Sequence, residues 1–154
     1  RDGIEWGTLI LFGGGLAMGG MMYKTGLSKW VGDGIIAMMG GEPSAIAMVA
    51  IFSIMALLLS ELTSHTAATN MIGPLAITAA ISAGMNPVPV SVAIALSASL
   101  GFMLPVSTPP NAIVYASGYI PITKMIHTGV YIDVIGIACV TIPLCIYFVS
   151  WIIG

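Results

Sequence analysis

The chain has 154 residues, 58% of them hydrophobic and only 6% charged, with a formal net charge of −2. A soluble domain carries about a quarter charged residues, so this sequence cannot coat a water-facing surface, and without a basic patch it has no means of neutralising nucleic-acid phosphates. A mean hydropathy of +1.05 points instead to a multi-span membrane protein or a piece of one, holding at most about seven passes of about 20 residues.

Residues 6–23, uncharged between Glu5 and Lys24, carry Trp6 and Tyr23 at their ends and are expected to form a membrane helix anchored by interfacial aromatics. Gly13-Gly14-Gly15 and Gly19-Gly20 within it are expected to let neighbouring helices approach closely; they lack the Gly-Lys-Ser/Thr ending of a phosphate loop. The start Arg1-Asp2-Gly3, without Met, a basic leader region or a cleavage site, reads as an excised fragment with no signal peptide.

From Thr25 to Gly41 the charges of Lys29 and Asp33 alternate with Leu27, Trp30, Val31 and Ile35, which predicts an amphipathic helix lying along the membrane surface. Residues 1–42 therefore pair a transmembrane helix with an interfacial one.

Glu42-Pro43 opens the next element, which stays uncharged until Ser60-Glu61-Leu62-Thr63-Ser64-His65-Thr66, and apolar sequence resumes through Ile81. Two full spans or a re-entrant hairpin would give this pattern. A second arm of about 15 residues, from about Ala67 to Ile81 with Gly73-Pro74 inside it, reaches only about 22 Å and favours a hairpin over residues 43–84.

In residues 85–117, a helix is predicted over Val90–Leu104, stopped by Pro105-Val106-Ser107-Thr108-Pro109-Pro110-Asn111 before Ala112-Ile113-Val114-Tyr115 continues. Unpaired backbone at membrane depth is tolerated only where protein or a watery cavity satisfies it, so a broken helix beside a hairpin predicts a midplane binding site. Residues 118–154 hold a polar connector (118–128, with Pro121, Lys124 and His127) and a last span over 129–153 that includes Pro143. Orientation is not set by the positive charges, since Lys24 and Lys29 balance Arg1 and Lys124 if the hairpin returns to its side of entry.

In hydrocarbon an oxygen-rich cluster is costly unless something binds there, which singles out Ser60, Thr63, Ser64, Thr66 and the Ser107-Thr108 break. Hydroxyls and freed carbonyls suit an alkali cation, while hydroxyl and N–H donors at half-helix N-termini suit a carboxylate or sulfate. Glu61 and His65 lack a third ligand, a His-Glu-x-x-His pattern or an activated nucleophile, so no enzyme is read here; Glu61 is expected to pair or cap within the hairpin. Cys139 and Cys145, deep in an apolar run, read as packing residues.

The run from Ala98 through Ser107-Thr108-Pro109-Pro110-Asn111 to Val114 resembles the signature of the divalent anion:sodium symporter family, the INDY-type dicarboxylate, citrate and sulfate carriers, and Ser64-His65-Thr66 resembles that family's Ser-Asn-Thr hairpin-tip motif. The resemblance implies an all-α integral membrane fold, one inverted-repeat half of a secondary transporter, with a re-entrant helical hairpin and a broken transmembrane helix. It implies substrate contacts at Ser64, His65, Thr66 and Thr108, and sodium held by Ser60, Thr63, Ser107 and Pro109. Pro105, Pro110 and Asn111 would shape the helix break.

The same likeness implies sodium-coupled uptake of a small di- or tricarboxylate anion or sulfate, no organic cofactor, a missing N-terminal repeat, and a homodimer in the cell (inner) membrane working by an elevator movement. His65 departs from the motif's Asn. An imidazole has no amide oxygen for sodium, and a protonated one could replace part of its charge, so proton coupling or anion exchange is the alternative. The rival from another class is a non-transporting membrane subunit whose Gly and Ser residues serve packing; a channel is disfavoured because no filter repeat is present.

Overall fold

Four polar residues start helices by one device. Ser44, Ser64, Asn86 and Thr108 each turn a side-chain oxygen onto a first-turn N–H, those of Ala47, Ala67, Val88 and Asn111, at 3.0–3.4 Å. A computed structural model describes residues 6–38 and 44–153 of the chain. Its seven helices are α1 (Trp6–Lys24), α2 (Leu27–Met38), α3 (Ala45–Leu62), α4 (His65–Ser82), α5 (Pro87–Ala98), α6 (Pro109–Ala116) and α7 (Ile122–Ile153), with no strand among the described residues. Arg1, Glu5, Gly41 and the Glu42-Pro43 start of the hairpin lie outside the described residues, as do the side chains of Trp6 and Cys145.

Helices α3, α4 and α5 pack on one another around Phe52, Met48 and Ile94, with Ala56, Ala68, Ala76, Ala79, Ala93 and Ala98 fully buried between them. Small side chains at these contacts let helices approach where lipid supplies no hydrophobic drive for association. The α4 helix ends at Ala83 with Gly84 at φ +72°, and the Met85 N–H returns to the Ala80 carbonyl at 2.9 Å, a closure that favours glycine at the left-handed position. Among the described residues, Ala45–Leu62 and Ile122–Val140 are long and apolar enough to cross a membrane.

Several boundaries differ from those expected. Pro109 and Pro110 do not extend the break; they are the first two residues of α6, where a missing N–H costs nothing. The preceding helix stops at Ala98, six residues before Leu104, so the non-helical stretch is 99–108. Helix α4, expected to hold about 15 residues from about Ala67, has 18, because Ser64 caps it from His65 onward. Pro121 offers its carbonyl to the Lys124 and Met125 N–H groups, so α7 begins at Ile122 and residues 122–128 are helical.

The apolar face expected on α2 is split. Val31 and Ile35 pack on the core, whereas Leu27 and Trp30 are exposed, since Trp30 and Ile35 sit about 140° apart around a helix. The glycines of α1 also depart from expectation: a Cβ added at Gly13, Gly14 or Gly20 would meet nothing within 4 Å. Close approach occurs instead at Gly129 of α7, where a Cβ would lie 2.6–2.8 Å from backbone atoms of Met103 and Phe102.

Candidate functional site at the helix break

A non-helical stretch between two helices leaves backbone donors and acceptors to be satisfied from elsewhere. Here side chains from flanking helices do it. The Glu61 carboxylate, at the end of α3, accepts the Met103 N–H at 3.1 Å on both oxygens, and its Oε2 accepts the Leu104 N–H and the Ser107 hydroxyl, each at 3.0 Å. From α6, the Asn111 amide donates to the Gly101 and Leu104 carbonyls, both at 3.2 Å. From α3, the Ser60 hydroxyl donates to the Ala98 carbonyl at 2.7 Å.

Ser60 also fixes the state of His65. Its single proton goes to Ala98, so at 3.0 Å from His65 Nδ1 the Ser60 oxygen can only accept, which requires the proton on Nδ1. This packing needs Gly101: a Cβ there would lie 2.6 Å from Ser60 Oγ, 3.1 Å from His65 Cε1 and 3.3 Å from Ser107 Cβ.

The residues singled out in the sequence are put to different uses. Ser60 and Ser107 are buried and spend their protons inside the protein, on Ala98 and Glu61. Thr63 donates to the Leu59 carbonyl at 2.8 Å, the usual back-bond of a helical hydroxyl. Ser64 and Thr108 cap α4 and α6; each oxygen accepts from its own helix, so each hydroxyl proton is left to donate. Thr66 is exposed, as are Pro109 and Pro110, while Pro105 is half-buried in the break.

A cavity of about 230 Å³ opens at the start of α4, lined by His65, Thr66, Thr69, Asn70 and Ser99. Thr69, Asn70 and Ser99 had not been singled out, although Thr69 and Asn70 follow His65 and Thr66 by four residues each and so share their helix face. Thr69 and Ser99 bond their own helices. The Asn70 Nδ2 is buried without a hydrogen-bond partner, and Pro74 lacks the N–H that the Asn70 carbonyl would accept in an unbroken helix. The start of α4 thus gathers donors: the Ser64 and Thr66 hydroxyls, the first-turn N–H groups that Ser64 does not take, and the positive end of the helix dipole.

The family model for the sodium:sulfate symporter transmembrane region matches residues 1–153. The chain is 40% identical over 145 residues, 94% of its length, to a sodium-dependent dicarboxylate transporter of Staphylococcus saprophyticus, of which it covers 27%. It is 38% identical over 140 residues, 91% of its length, to a Na(+)/citrate cotransporter of Rattus norvegicus, covering 24% of that protein. A sodium-dependent dicarboxylate transporter of Staphylococcus aureus (strain USA300) is 39% identical over 146 residues, with 27% of it covered. The chain spans about a quarter of the length of these relatives. With the capped start of α4 and the helix break both inside the matched region, similarity along nearly the whole chain places this all-helical membrane chain in the sodium:sulfate symporter family, a family of transporters and not of enzymes.

Proposed function

We propose that the protein containing this chain carries a small di- or tricarboxylate anion across a membrane together with sodium, and that the hairpin tip and helix break supply half of the substrate site. The observation that carries this reading is the pair of capped helix starts, Ser64 on α4 and Thr108 on α6, joined through the Ser107–Glu61 hydrogen bond. Each cap keeps a hydroxyl donor and a helix N-terminus available for an anion, an arrangement that favours carboxylate over a cationic or apolar substrate. The names of the relatives, dicarboxylate and citrate carriers that use sodium, support the substrate class and the coupling ion.

In this reading Ser64, His65, Thr66 and Thr108 contact the anion. Sodium binds beside them at Ser60, Thr63, Ser107 and Pro109, chiefly through backbone carbonyls, because the Ser60 oxygen already accepts from His65 and its proton is committed. Together α5 and α6 hold 20 residues, about 30 Å of helix, which suits one crossing interrupted at the site. The re-entrant course of α3 and α4, a second inverted repeat, the homodimer, the elevator movement and the cell (inner) membrane location rest on the family likeness.

Uptake of labelled succinate, citrate and sulfate into proteoliposomes carrying the full-length parent, with and without a sodium gradient, tests the reading. Sodium-driven uptake of a carboxylate is expected, lost in Ser64→Ala and Thr108→Ala together. Uptake that ignores sodium but requires an internal anion, and becomes sodium-dependent in His65→Asn, would move the function to anion exchange. Absence of uptake of all three anions would overturn it in favour of a packing subunit.

A further inference from the structure

The cavity at the start of α4 divides its polar atoms in a way that a carboxylate alone does not match. Thr69 and Ser99 give their protons to the His65 and Ala95 carbonyls, each at 2.9 Å, so the oxygens of these two lining residues are left as acceptors only. Asn70 lines the same cavity, one helical turn beyond Thr66, and supplies the opposite capacity. Its amide nitrogen carries two N–H donors and is buried with no partner among the described residues.

Other polar side chains of α4 avoid that state. Thr69 and Thr78 bond back to carbonyls four residues earlier in their own helix, a solution that suits a short hydroxyl and that the Asn70 amide does not take. A buried amide nitrogen without an acceptor costs about as much as a lost hydrogen bond, and more so in a membrane protein, so Asn70 calls for an acceptor that the chain itself does not provide. The amide oxygen makes no hydrogen bond either, so nothing pins the group, and a half-turn about χ2 exchanges nitrogen and oxygen at the cavity wall without breaking a bond.

The acceptor is further defined by its neighbours. A carboxylate only accepts, and against Thr69 and Ser99 it would set lone pair against lone pair. An alcohol hydroxyl does both: it accepts from the Asn70 amide and donates to the Thr69 or Ser99 oxygen. A volume of about 230 Å³ admits the hydroxyl with the carbon that bears it.

We propose that Asn70 is a specificity-determining residue that binds the hydroxyl of a 2-hydroxycarboxylate, so that the site favours hydroxylated di- or tricarboxylates over the matching acids that lack the hydroxyl. The proposal rests on the reading that the start of α4 holds the anion: Ser64 and Thr66 take a carboxylate, and Asn70, with Thr69 and Ser99, takes the alcohol beside it. An acid without the hydroxyl leaves the amide unpaired, which is the strongest way for a polar pocket to discriminate.

The test is calorimetric titration of the purified full-length parent in sodium with two pairs of anions that differ by one hydroxyl, succinate with malate and tricarballylate with citrate. Wild type is compared with Asn70→Leu, which keeps the side chain's size without a donor, and with Asn70→Ala. Wild type is expected to bind the hydroxylated member of each pair about tenfold or more tightly, and both variants to bring the pairs within about twofold, with succinate affinity unchanged. Equal affinities within the pairs in wild type would overturn the proposal and leave the carboxylate reading standing. A hydroxyl preference that survives both substitutions would overturn it too, as would loss of succinate and malate binding alike in both variants, which would make Asn70 structural. Absence of binding of all four anions to wild type would overturn the carboxylate reading and this proposal together.

Discussion

Three described glycines of α1 and three at the helix break are the same residue put to opposite use. Gly13, Gly14 and Gly20 face open space, whereas Gly101, Gly129 and Gly136 sit where an added Cβ would collide with Ser60, with the Met103 backbone and with Leu100. The α1 glycines come in conspicuous runs and the break glycines stand singly, so local abundance is no guide to close packing. What matters is what stands opposite: side chains at Gly101 and Gly136, nothing at the α1 glycines. At Gly129 it is backbone, because 99–108 has no regular helix to hold it off and is instead gripped by side chains of α3 and α6.

The contrast can be broken at its dense end most easily. Removing the acceptor by Glu61→Ala orphans the Met103 and Leu104 N–H groups and leaves the Ser107 hydroxyl only the backbone carbonyl at position 61, a loss of about 3 kcal/mol or more. A thermal unfolding curve of the purified parent would show it as the largest drop in midpoint, and an unchanged midpoint would mean that the break is held by something else. Gly129→Ala is next. Overpacking against backbone costs about 1–3 kcal/mol, and since Phe102 and Met103 cannot swing aside like a side-chain end, uptake should fall along with the unfolding midpoint.

Asn111→Ala should cost somewhat less, about 1–2 kcal/mol, because carbonyls left without a donor are tolerated better than orphaned N–H groups. Faster amide hydrogen exchange confined to residues 99–108 would locate its effect; uniform exchange would argue that Asn111 is not a local clamp. The smallest effect belongs to α1. If Gly14 faces nothing in the parent as it does here, Gly14→Ala raises stability by up to about 1 kcal/mol through helix propensity alone. A fall in stability would instead reveal a neighbour seated on the α1 glycines in the full-length protein and would remove the contrast.

How far the site could be read from the chain varies residue by residue. Ser64 and Thr108 were legible because hydroxyls clustered in an otherwise apolar chain stand out, and the signature around Pro105-Val106-Ser107-Thr108-Pro109-Pro110-Asn111 reinforced it; that they cap α4 and α6 emerged only from the structure. The helical start of α6 was misread, since three nearby prolines look like one interruption although two of them occupy the first turn. Glu61 was expected to act inside the hairpin, yet its carboxylate serves backbone N–H groups 42 and 43 residues further along.

By itself the sequence determined the environment and the punctuation of this protein. Its 6% of charged residues demand lipid around it, and its prolines and capping hydroxyls set most places where helices start and stop, because these are properties of single residues and their near neighbours. Only the tertiary structure decided which groups satisfy the broken backbone. Those pairings join α3, α6 and the break, across tens of residues in the case of α3, and a buried carboxylate in an apolar run has no periodicity that would announce its partner; it is the low dielectric of the assembled site that makes the partner necessary.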